Sequence, residues 1–166
     1  MNRMHALREK YPLEASRFRG PGATRTLIII FFAGIVVAAV AVAAGLASDM
    51  RWPIVAVMAA GLLPSMYCWT MLRAANHAKD TAPDAEVDEY ERRVLDTWRG
   101  RALKAYSALT GIGGMAFVMA GALRDAPDST ALMAAGYFMT FTCLLIYPLP
   151  MIGFAMTFNR NEEDIK

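Results

Sequence analysis

Residues 27–48, LIIIFFAGIVVAAVAVAAGLAS, run for 22 positions without an Asp, Glu, Lys, Arg or His. As a helix rising 1.5 Å per residue this stretch covers about 33 Å, slightly more than the roughly 30 Å hydrocarbon core of a bilayer, so it reads as a span with a small tilt. The competing reading is a cleavable signal peptide, because Gly45-Leu46-Ala47 resembles a small-x-small cleavage site. It is disfavoured, since the h-region would be about 20 residues against a usual length of roughly 7–15.

Three further blocks repeat the pattern. The second opens at Pro53 and runs to Leu72 with Pro64 as an expected kink, the third covers 105–123, and the fourth covers 131–158. The fourth is too long for one straight span, and Pro148 and Pro150 predict a break near Tyr147 with the remainder close to the interface. The whole chain of 166 residues is 56% hydrophobic and 19% charged. A composition collected in four such blocks predicts an all-α membrane protein with four transmembrane helices. The formal net charge of only +2 argues against nucleic acid as a partner, and the composition against a disordered or disulfide-stapled secreted chain.

Basic residues set the expected orientation. The arm 1–26, the middle segment 73–104 and the tail 159–166 hold 15 of the 17 Lys and Arg residues, while the two short connections opposite hold only Arg51 and Arg124. This bias predicts that both termini are cytoplasmic. The chain then divides into a basic arm (1–26), a first hairpin (27–72), a cytoplasmic loop (73–104), a second hairpin (105–158) and an acidic tail (159–166). Trp52 on the outer side, and Trp69, Tyr106 and Phe158 on the inner side, are expected at the membrane boundaries.

Chemistry has few seats in this sequence. No ionisable Asp, Glu, Lys, Arg or His falls inside a block, which disfavours a proton-coupled exporter, since such carriers keep a carboxylate in the membrane. His5 and His77 lie outside the spans, so no paired histidines are expected to hold haem between helices. Cys68 and Cys143 are 75 positions apart and form no CxxC, and of the methionines in the spans only Met115 and Met119 fall one turn apart, so both residue types read as packing groups. The expectation is a protein without cofactor, metal or catalytic residue.

What the spans do carry is small residues, which let helix backbones approach in a medium that offers no hydrophobic drive to associate. Rows of this kind are Ala39/Ala43/Ala47, Ala56/Ala60 and Gly61/Ser65 in the first hairpin, and Ser107/Gly111, Thr110/Gly114, Ala131/Ala135 and Gly136/Thr140 in the second. The glycine-dense third span, with Gly111, Gly113, Gly114 and Gly121, is expected to be the central packing helix. The arm is expected to be set off from the membrane by a flexible Gly20-Pro21-Gly22 break.

The segment 84–100, DAEVDEYERRVLDTWRG, is the most informative outside the spans. Val87, Tyr90, Val94 and Trp98 recur at helical spacing, and Asp88/Arg92 and Glu89/Arg93 are acid-before-base pairs four apart. A separate cytoplasmic amphipathic helix is therefore expected before the third span, capped by Asp84 and bent at Gly100. Its charges nearly cancel, so its stripe is expected to meet protein rather than an anionic lipid surface. Val87, Tyr90, Val94 and Trp98 are the candidate contact residues.

The VDEYERRV helix leading into a span, and a last span ending LPLPMIGFAM before an acidic tail, resemble small uncharacterised four-span proteins of bacterial inner membranes. The resemblance implies a bacterial inner membrane and four spans, and brings no catalytic residues. The expected role is non-catalytic: an accessory subunit or self-associating scaffold with the lipid bilayer and a second copy or larger complex as partners. The alternative is a small permease or channel without intramembrane charge.

Overall fold

The computed structural model describes residues 18, 20–48, 51–83, 87–123 and 129–159, with the side chains of 51–54 and 129 left aside. Most of the arm, Asp84, residues 49–50 and 124–128 in the two short connections, and the acidic tail lie outside the described residues. The described chain is helical, with α1 at Pro21–Ala47, α2 at Arg51–Ala75, α3 at Glu89–Ala122, α4 at Ser129–Ile146 and α5 at Leu149–Phe158. Four stretches are long and apolar enough to cross a membrane: α1, α2 from Val55, α3, and α4 with α5.

Helix α1 starts six residues before its apolar block. Gly20 is its N-cap in extended conformation and Pro21 fills the first position, where a missing amide hydrogen costs nothing, so Gly20-Pro21-Gly22 initiates a helix rather than separating an arm from one. Pro64 lies inside α2 without ending it.

Helices α1 and α2 cross at close range. A Cβ placed on Gly34 would collide with the Ser65 hydroxyl and the Gly61 carbonyl, and one placed on Gly61 would lie 2.5 Å from the Gly34 carbonyl oxygen and 3.0 Å from the Ala38 nitrogen. The fully buried Ser65 hydroxyl lies 2.9 Å from the carbonyl oxygens of both Phe31 on α1 and Gly61 on its own helix. Its proton links the two backbones where side chains are too small to hold them apart. Leu27, Phe31 and Ile35 of α1 and Cys68 and Leu72 of α2 continue the contact as a core toward the end of the bundle that carries Lys104, here the basic end.

The fourth apolar block breaks where the prolines predict. Helix α4 ends at Ile146, Tyr147 and Pro148 turn, and α5 begins at Leu149. Residues 149–158 do not merely lie along a boundary. Met151, Ile152, Gly153, Phe154 and Ala155 are all buried, so α5 is a plug between the α1/α2 pair and the first half of α3. On one side Ile152 and Ala155 join the α1/α2 core, and on the other Met151 and Phe154 enclose Leu95. The side chain of Asn159 donates to Thr24 at 2.9 Å, tying the end of α5 to the start of α1 across 135 positions of sequence.

The separate amphipathic helix is not found. Asp88, not Asp84, caps the helix: its carboxylate accepts from the Glu91 amide at 2.7 Å, while the Glu91 side chain accepts from the Asp88 amide at 3.2 Å. This reciprocal capping box starts a 34-residue helix that runs through Gly100 to Ala122 without interruption. Nothing lies within 4 Å of a Cβ placed on Gly100, so no crowding forces a bend there.

Candidate functional site

Two surfaces of α3 hold the residues that the sequence singles out, and they have opposite fates. At its polar end, Val87 just before the helix and Val94 within it are half-buried against the cluster of Leu95, Met151 and Phe154. The Trp98 ring lies on Gly153, where any side chain would overlap it, and the Arg101 guanidinium stands over the same indole at 4.8 Å from the ring centre. Tyr90 is 61% exposed and meets Phe158 edge-on at 5.6 Å between ring centres. Val87, Val94 and Trp98 are thus packed on the chain's own α5, whereas Tyr90 stays largely open beside Phe158.

The fully buried members of this face, Leu95 and Ala102, are absent from the sequence reading. Each residue turns a helix by about 100°, so Leu95 and Ala102 place the buried face somewhat less than one residue's turn from the axis of Val87, Tyr90, Val94 and Trp98. Leu95 is the one aliphatic residue between Val94 and Trp98. The choice of stripe centre hid it.

The connection after α2 clamps this half of α3 in place. His77 and Ala78 adopt left-handed backbone conformations, and the Ala78 amide reaches back to the Arg73 carbonyl at 2.8 Å, closing the helix end. A 3-10 turn at Lys79–Thr81 follows. Arg73 holds Asp80 at 3.1 Å and the Thr81 hydroxyl at 2.7 Å, and Lys79 holds Glu91 at 2.7 Å. Glu91 thereby serves the capping box and the loop at once. The pair Glu89–Arg93 forms on the open face as the spacing predicts, whereas the Asp88 carboxylate is engaged as a cap.

The apolar half of α3 is the reverse case. None of the membrane-length window of this helix is buried, and its neighbour there is α4. A Cβ on Gly111, Gly114 or Gly121 would meet nothing within 4 Å, and only Gly113 is in contact, against the Phe138 ring. The expected central packing helix is therefore peripheral within one chain. The close crossing belongs to Gly34, Ala38, Gly61 and Ser65, of which the sequence reading named only the last two. The signal for the other pair was present, as Gly34 and Ala38 are themselves small residues four apart.

On this open half Ser107, Gly111, Gly114, Val118 and Gly121 alternate in steps of four and three, all exposed, and form one seam. The large side chains Ile112, Met115 and Met119 are also exposed and lie off that seam.

Among the described residues no group of three or more His, Cys, Asp or Glu side chains is placed to hold a metal. Cys68 is buried and Cys143 exposed, and both are free thiols. No family model, curated protein or solved structure matches this chain.

Proposed function

We propose that this chain is a multi-pass subunit of a bacterial inner membrane, with both termini cytoplasmic, whose role is assembly: a scaffold that associates with further copies of itself or an accessory subunit of a larger membrane complex. The observation that carries the reading is the seam of Ser107, Gly111, Gly114, Val118 and Gly121, which is open in the single chain. Glycine gives a lipid tail little to touch and weakens a helix, so lipid contact alone does not account for three of them on one face. Small residues in a four-three rhythm are what a second helix uses to approach at the shallow angle of left-handed pairs. Ile112, Met115 and Met119 already provide the bulky surface that lipid wets.

The test is the mass of the purified assembly in mild detergent and in nanodiscs. Gly114→Leu combined with Gly121→Leu is expected to lower that mass, whereas Ile112→Ala combined with Met119→Ala is expected to leave it unchanged. A parent chain that is monomeric in both media and purifies without a stoichiometric partner would overturn the reading.

A further inference from the structure

We propose that the groove at the basic end of the bundle, between α3 and the α4–α5 corner, binds an anionic phospholipid, with its phosphate on Arg99 and an acyl chain lying over Leu103 and Ile146. The groove has a volume of about 480 Å³. Its rim is polar, with Asp80 and Arg99, and its floor is apolar, with Leu103, Ile146 and Pro150.

Three observations point to that occupant. The first is depth. Arg99, Arg101 and Lys104 are the last charges of α3 before the uncharged residues 105–122, so a groove built on Arg99 to Tyr106 straddles the change from polar to apolar. A phosphate and the first methylenes of its lipid occupy that same boundary. Tyr106 and Tyr147 flank it, 42% and 62% exposed, as amphipathic rings do at such a level.

The second is charge. Asp80 could repel a phosphate, but its carboxylate is held 3.1 Å from Arg73 and is only 12% exposed. Arg99 is held by the Asp80 carbonyl at 2.9 Å and by the open Asp96 at 3.1 Å, and its side chain remains 51% exposed. The guanidinium is thus aimed while part of its donor fork stays open to an oxyanion. Among the residues that line the groove Arg99 is the basic one; Arg101 and Lys104 lie on other faces of α3, about 200° and 140° around the helix from it.

The third is the floor. Leu103 is 67% exposed beside that guanidinium. A soluble anion would leave it uncovered, whereas a lipid covers both with one molecule. The inference requires only that α3 enters the bilayer near Lys104, and holds whether or not the chain associates with copies of itself.

The experiment uses the full chain, stripped of lipid, re-equilibrated with an equal mixture of dioleoylphosphatidylglycerol and dioleoylphosphatidylcholine, and weighed by native mass spectrometry. The parent is expected to retain the glycerol lipid about fivefold over the choline lipid, the preference that corresponds to about 1 kcal/mol for one basic residue near an anionic surface. Arg99→Gln is expected to abolish that preference. Arg101→Gln, two residues and so about 200° around the helix, is expected to keep it. Leu103→Trp, which fills the floor and removes no hydrogen bond, is expected to lower retention of both lipids, and it decides the matter should Arg99→Gln not fold. Unchanged retention in Arg99→Gln or in Leu103→Trp overturns the proposal, as does an equal loss in Arg101→Gln, which would mean a diffuse surface charge.

Discussion

At Ala78 the backbone is left-handed, at φ 48°, with a side chain that has no polar group to recompense the strain. Left-handed geometry costs an L-residue roughly 1–2 kcal/mol, more than the entropy a glycine loses, so Ala78→Gly is expected to stabilise by about 0.5–1 kcal/mol. Thermal unfolding in detergent should show a higher midpoint. A lower midpoint would mean that this turn is not formed. The opposite result is expected at Gly61, where the Gly34 carbonyl oxygen already stands 2.5 Å from the Cβ position. Gly61→Val forces α1 and α2 apart and should destabilise by at least the roughly 1–3 kcal/mol of ordinary overpacking. Ser65→Ala keeps the space but removes the proton shared between Phe31 and Gly61, a loss of about 0.6 kcal/mol by the usual worth of such bonds in membranes. Equal midpoints for Gly61→Val and the parent would sink the close crossing.

Among the elements, α3 and α5 show what a sequence conveys and what it withholds. Pro148 and Pro150 announce the break before α5, because the missing amide donors act locally and on any backbone. The apolar spans are legible for a similar reason, since composition over twenty residues decides whether lipid is a tolerable surround. Gly100 misleads because a glycine only permits a break, and here the capping box at Asp88 and the packing of Leu95 and Ala102 belong to one continuous helix that runs through it. What covers the stripe of Val87, Val94 and Trp98 is not legible at all, because the covering helix is sixty residues away and is itself apolar enough to pass for membrane. Gly153 is the residue on which that pairing turns. Gly153→Leu must push the Trp98 indole out of its seat, so its fluorescence should shift and become accessible to a water-soluble quencher. A spectrum like the parent's would show that α5 does not lie against α3. Trp52 and Trp69 should be replaced by Phe beforehand, leaving Trp98 as the reporter.

For the molecule as a whole, the two hairpins meet where α4 and α5 pack on α1, and α5 also reaches α2 while lying against α3. The proposed cytoplasmic placement of the basic end rests on the concentration of Lys and Arg in the segments 1–26, 73–104 and 159–166. Reporter fusions after Thr81 and Lys166 are expected to read cytoplasmic, and fusions after Met50 and Ala126 to read external. A cytoplasmic signal after Met50 would remove the first hairpin from the membrane and with it the four-span arrangement. The bond from Asn159 to Thr24 has a bearing on how the protein comes to be made. The α1/α2 pair can close as soon as it leaves the ribosome, since Gly34 and Gly61 are neighbours within one hairpin, but its Leu27 and Leu72 edge waits until Ile152 and Ala155 have been synthesised. During translation that edge is an open apolar trench facing newly made protein. A nascent chain stalled before Leu149 would be inserted yet unfinished, and quality-control proteases in the membrane would meet it in that state.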